Sequence, residues 1–149
     1  MSVLIWTEIE HGQEIPPLVK HITSRQLVMW SGVSGDYNPI HYDCAFAKAH
    51  GLSGVVVHGQ LIAAFLHQML SDWHGDMGSV KKLNIIYKSF AFVDDVLTCR
   101  GSVREVSSDG GSVVLDTWVE NQHGEKIVSG SAVVQSSCYN KTKELELLH

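Results

Sequence analysis

The residues best suited to chemistry lie in Ser34-Gly35-Asp36-Tyr37-Asn38-Pro39-Ile40-His41, where a carboxylate and an imidazole stand five positions apart on a stiff, turn-rich linker. Pro39 fixes its own φ and biases Asn38 toward extended backbone, while Gly35 can take angles closed to other residues. Such a loop can aim both side chains into one space. A carboxylate and a neutral imidazole can trade protons near pH 7 when their surroundings tune them, so Asp36 and His41 together would activate a single water. A plainer reading of the same residues is an Asx turn at Asp36, a turn started by Asn38-Pro39, and an ordinary histidine at position 41. A third element weighs against it. His58-Gly59 opens the most apolar stretch of the chain, where the unpaired N–H groups and positive dipole end of a helix would face a ligand oxygen. Gly59, having no side chain, lets that oxygen approach its backbone.

Other groupings carry less. The chain has 9 histidines, but His58, His67 and His74 lack the short ligand pairs and nearby cysteines of a zinc site, so no metal is expected. Ser34 near His41 invites comparison with a nucleophile and its base, yet the glycine pattern of a nucleophile elbow is missing. Lys81, Lys82 and Lys88 are placed either to meet the phosphates of a ligand or to form a solvated strand face. Cys44, Cys99 and Cys138 are odd in number and read as reduced, buried thiols.

The elements that must hold these residues follow from composition and period. At 149 residues and 44% hydrophobic content, the chain fits one domain with its own core. A formal charge of -5 without a Lys/Arg cluster argues against nucleic acid as a partner. No leader pattern or long apolar run is seen, so the expectation is a cytoplasmic protein without a membrane partner. Pro16 and Pro17 precede an edge strand, and Thr23 with Gln26 has the form of a capping box opening a short helix that ends near Gly32 or Gly35. Asp43 would cap a second short helix, with Gly51 as its left-handed stop.

Val55 to Trp73 is the most apolar part of the chain, and within it Leu61, Ile62, Ala63, Ala64, Phe65, Leu66, Met69 and Leu70 cover nearly every side of a helix, which implies burial. After Ser79 the period becomes two: residues 80–92, 95–106, the Val113, Leu115, Thr117, Val119 set, and the Val128, Gly130, Ala132, Val134 set read as half-buried strands. Turns fall at Asp109-Gly110-Gly111 and Gln122-His123-Gly124. The expectation is an α+β layer in which a sequential antiparallel meander curves round one long buried helix, the hotdog arrangement, with an exposed edge that invites a second subunit. The domain is placed at 1–138 and a charged surface tail at 139–149.

The run Ser-Gly-Asp-x-Asn-Pro-x-His, a small helix, and then His-Gly opening a long apolar helix resemble the MaoC-like family, with its (R)-specific enoyl-CoA hydratases and hydroxyacyl-ACP dehydratase subunits. The similarity to the dehydratase subunits is strongest in Ser31-Gly32-Val33-Ser34-Gly35-Asp36 and Asn38-Pro39-Ile40-His41, and weaker similarity runs from about residue 10 to 137. The resemblance implies that Asp36 and His41 are a catalytic dyad, that Asn38 shapes their loop, and that Gly59 N–H, with His58, serves oxyanion and substrate binding. It implies reversible hydration of a 2-enoyl thioester of CoA or acyl carrier protein to the (R)-3-hydroxyacyl thioester, with no cofactor beyond the carrier; which of the two is base and which is acid stays open, His41 as base and Asp36 as proton donor being the preferred order. A homodimer, or a heterodimer with another hotdog subunit, is implied as well. Gln60 and His67 depart from the family's apolar and small residues and are read as acyl-pocket positions. In Phe90-Ala91-Phe92-Val93-Asp94-Asp95 the family's Pro and Gly-Asp pattern is kept only at Asp95. The alternatives are a hotdog thioesterase and a non-catalytic subunit of a heterodimeric dehydratase.

Overall fold

The structure, a computed structural model, describes residues 6–137; the proposed tail at 139–149 and Cys138 lie outside them. Strand β1 (Leu18–His21) follows the two prolines and pairs antiparallel with β3 (Val96–Val106). Helix α1 (Ser24–Ser34) begins at the expected capping box: Gln26 N–H donates to Thr23 Oγ1 and Thr23 N–H donates to Gln26 Oε1. It ends at Gly35, whose φ of 76° is open to glycine at little cost. A 3-10 turn, Pro39–His41, leads into α2 (Cys44–Ala49), capped by Asp43 through Phe46 N–H at 3.0 Å.

Helix α3 spans Gly59–His74 with His58 as its N-cap, so it opens at His58-Gly59 as the sequence leads one to expect. Leu61, Ile62, Phe65, Leu66, Met69, Leu70 and Trp73 are buried, each contributing about 1.5–3 kcal/mol relative to exposure. The expectation of burial on every side is corrected: Gln60, His67, Gln68 and Asp72 are exposed. The sheet covers one side of the helix, while Trp30 of α1 lies beside Gln60, Ala63 and Ala64 on another.

Strands β2 (Gly78–Tyr87), β3, β4 (Ser112–Glu120) and β5 (Lys126–Ser136) are antiparallel, and β4 buries the expected Val113, Leu115, Thr117 and Val119. Their order corrects the sequential meander. β3, β4 and β5 do follow one another through turns containing Gly110 (φ 67°) and Gly124 (φ 75°), but the sheet runs β1-β3-β4-β5-β2. β2 pairs with β5 at the far edge, with Leu83 opposite Ala132 and Ile85 opposite Gly130. Gly130 marks the reason, since a Cβ there would overlap the Asn84 carbonyl oxygen and only glycine admits the neighbouring backbone. Among the cysteines, Cys99 is buried and its thiol is pushed up to about 12, whereas Cys44, expected to be buried, is exposed at the start of α2. A curved antiparallel sheet against one long helix is the hotdog arrangement.

Candidate active site

The loop after α1 is tied down by its own polar side chains. Ser34 Oγ donates to Trp30 O at 2.8 Å and accepts from Asp36 N–H at 3.2 Å, so this hydroxyl holds the backbone and is not paired with His41. Asn38 N–H donates to Asp36 Oδ1 at 3.2 Å, and Asn38 Oδ1 accepts from Ile40 N–H at 3.3 Å. The Asx turn of the plainer reading is therefore present, and it uses only one carboxylate oxygen. The other, Oδ2, lies 3.6 Å from His41 Nε2.

His41 is buried on the 3-10 turn, and its Nδ1 is 2.7 Å from Val56 O. A carbonyl only accepts, so Nδ1 carries a proton and Nε2 is the nitrogen turned toward Asp36, free to take up or release one. Val56 N–H donates to Ile40 O at 3.0 Å, locking the turn to the entry of α3.

His58, expected at the substrate, is instead packed behind His41. It is 1% exposed, with the two rings stacked at 3.7 Å and 20°. Its Nε2 is 3.2 Å from Asp36 O and 3.2 Å from Ser31 Oγ. Donation to the carbonyl fixes the proton on Nε2 and leaves Nδ1 a buried lone pair without a partner. Burial pushes the His58 pKa below its ordinary 6.5, outweighing the opposite pull of the Asp36 carbonyl, so the ring is neutral. His58 thus positions the Asp36 backbone and the His41 ring without lining the cavity.

That cavity, of about 310 Å³, is lined by His41, Gly59, Ile62, Tyr87, Phe90 and Ala91 among others. Gly59, the first residue of α3, has no intrahelical acceptor for its N–H. Gln60 and His67 do not share this space. With Trp30, Ala63, Ala64 and Leu83 they line a second groove of about 440 Å³, which corrects their placement around the same pocket as the dyad. Helical geometry explains it: Gly59 and Ile62 share a face, whereas Gln60 and His67, seven residues apart, form a stripe on another.

Asp36, His41 and His58 bring ligand-type atoms within 4.8 Å of one another. Two imidazoles stacked face to face cannot both direct an in-plane lone pair at one ion, so the trio does not fit a metal centre. Lys88 lines the cavity, while Lys81 and Lys82 are exposed on β2. Asp94, standing where the family pattern has glycine, takes a φ of 74°. Asp95 closes this turn by accepting from Phe92 N–H at 2.8 Å. Sequence reasoning missed Tyr87 and Ile62; the parity of β2, with Leu83, Ile85 and Tyr87 on one face, was the available signal for the former.

The structure thus sets an aspartate and a histidine side by side near the N-terminus of a helix packed against a curved antiparallel sheet, on a hotdog scaffold. The chain belongs to the family described as MaoC like domain, which matches residues 8–124. It is 30% identical over 128 residues to the (R)-specific enoyl-CoA hydratase of Aeromonas caviae, covering 85% of this chain and 95% of that one. The solved structure of the A. caviae (R)-hydratase involved in PHA biosynthesis superposes with a TM-score of 0.79 at 28% identity, over 86% of this chain and 97% of that one. An unliganded R-hydratase from Pseudomonas aeruginosa gives 0.82 at 26% identity, over 88% and 84%.

Proposed function

We propose that this protein is a hydro-lyase that adds water across the 2,3-bond of a trans-2-enoyl thioester to give the (R)-3-hydroxyacyl thioester, and catalyses the reverse dehydration. The observation that carries this reading is the 3.6 Å approach of Asp36 Oδ2 to His41 Nε2, His41 itself lining the cavity that Gly59 borders. Similarity to the two R-hydratases supports the substrate class and the configuration.

A water between the two acceptors donates one hydrogen to each, which leaves its oxygen lone pairs free to attack C3. His41 Nε2 takes the proton as the C–O bond forms, and the electrons of the double bond move onto the thioester oxygen. Gly59 N–H stabilises that charge, a role whose loss costs about 10² to 10³ in rate. The proton on Nε2 then passes to C2 on the same face, and the thioester carbonyl is restored. This revises the expected part of Asp36. Asp36 Oδ1 accepts from Asn38 N–H and Oδ2 faces His41 Nε2, so both oxygens are placed as acceptors. As carboxylate it orients the water and stabilises the imidazolium, with Asn38 holding it in place.

The carrier is CoA or an acyl carrier protein, whose phosphates find a cation in Lys88 at the cavity, and no further cofactor enters the reaction. The outer edge of β2, unpaired among the described residues and ten residues long with Ile86 and Tyr87 exposed, favours pairing with a second hotdog subunit; sedimentation of the purified chain tests this. Purified protein incubated with trans-2-enoyl-CoA should abolish the absorbance of the conjugated thioester without releasing thiol. Thiol release marks a thioesterase, and activity appearing only on addition of another chain marks a partner-dependent subunit.

A further inference from the structure

Tyr87 ends β2 on the face that also carries Leu83 and Ile85, and so leans over the start of α3. A Cβ built on Gly59 would lie 3.0 Å from Tyr87 Cζ and 3.1 Å from Tyr87 Oη. The phenol therefore sits where a Gly59 side chain would be, at the first residue of α3. Tyr87 lines the same cavity as His41 and Gly59, is 50% exposed, and its hydroxyl has no hydrogen-bond partner among the described residues. Burial of the packed side of the ring pushes its pKa above the ordinary 10.0, so the hydroxyl is a donor at neutral pH.

We propose that Tyr87 Oη–H is a second donor to the substrate's thioester oxygen, converging with Gly59 N–H on the negative charge that forms there during hydration. The proposal rests on the hydratase reading given above. It gives the missing side chain of Gly59 a further purpose. A methyl group there would push the phenol a few tenths of an ångström away, as well as crowd the carbonyl. Two donors aimed at one developing oxyanion act mainly on the transition state, where the charge is largest, and little on ground-state binding.

Tyr87→Phe keeps the ring against Gly59 and deletes only the hydroxyl. Its kcat for hydration of trans-2-enoyl-CoA should fall about 10- to 10²-fold, with KM within about threefold of the parent and an unchanged pH profile. A second readout needs no turnover. In a His41→Ala background, the ultraviolet band of bound enoyl-CoA should shift to longer wavelength as its carbonyl is polarised, and adding Tyr87→Phe should reverse part of that shift. An unchanged kcat, or an unchanged shift in the double variant, overturns the role of Tyr87. If the parent does not hydrate but polarises the bound thioester in a Tyr87-dependent way, the donor stands and the hydratase reading fails. If no acyl thioester binds, both fall.

Discussion

In His58→Phe the ring stacked on His41 is kept, while the hydrogen bond from His58 Nε2 to the Asp36 carbonyl is lost. Losing that bond and the contact with the buried Ser31 Oγ costs about 0.5–1.5 kcal/mol each, but the substitution also removes a buried Nδ1 without a partner among the described residues, itself a burden of about 1–3 kcal/mol. The extra volume of the phenyl ring takes back about 1 kcal/mol or more. These opposing amounts leave stability within about 1–2 kcal/mol of the parent. Catalysis should not be spared in the same way, because the Asp36 backbone loses its tether and a misplacement of about 1 Å costs on the order of 10² in rate.

The pH dependence supplies a second signature. His58 has a lowered pKa in the folded chain, so the unfolded chain takes up a proton that the folded chain refuses as pH falls below 6.5. The stability tied to His58 is complete above pH 6.5 and is lost progressively below it, toward the depressed folded value. Denaturant unfolding from pH 7.5 to 5, paired with kcat at pH 7.5, measures both effects. The expected result is a flatter stability curve for His58→Phe and a kcat reduced about 10- to 10²-fold. A variant with parental kcat and the same acid sensitivity would refute the positioning role.

Gly130→Ala should be the most damaging single methyl in the sheet, since it drives into the Asn84 backbone and must part β2 from β5; loss of soluble protein or a fall of several kcal/mol in chemical denaturation is expected, on the scale of about 3 or more for forced backbone shifts. Thr23→Ala removes the reciprocal cap of α1 and should cost about 0.5–2 kcal/mol in urea unfolding while leaving KM unchanged. Ser34→Ala loosens the loop without removing a nucleophile, so kcat should fall less than about tenfold. A complete loss of activity would reopen the serine reading.

Local signals in the sequence were read most accurately where one residue type satisfies one backbone need. Thr23 with Gln26, Asp43, Gly35 and Gly51 each mark the helix boundary that the structure shows. Strand alternation likewise identified the inward faces. It could not identify partners, because period two assigns a face and says nothing of which edge a strand joins; β2 therefore went to β3 in expectation and to β5 in the fold. The one clue, Gly130, lay on the partner strand. At the site, the spacing of Asp36 and His41 on a restrained loop foretold their approach, but His58 gave no sign of whether it faced the cavity or the core. That choice depends on the Ser31 and Asp36 groups that receive its Nε2, which come from a segment 22 to 27 residues away. Gln60 and His67 were misplaced because apolar residues all round α3 hid which stripe faces the dyad.

Turnover of Asp36→Asn and His41→Ala on trans-2-enoyl-CoA tests the account most directly. Each variant should keep the parent's circular dichroism and lose at least about 10² in kcat, as expected when a general acid–base group or its carboxylate partner is removed. Either variant turning over at the parental rate would contradict the assignment of water activation to this pair.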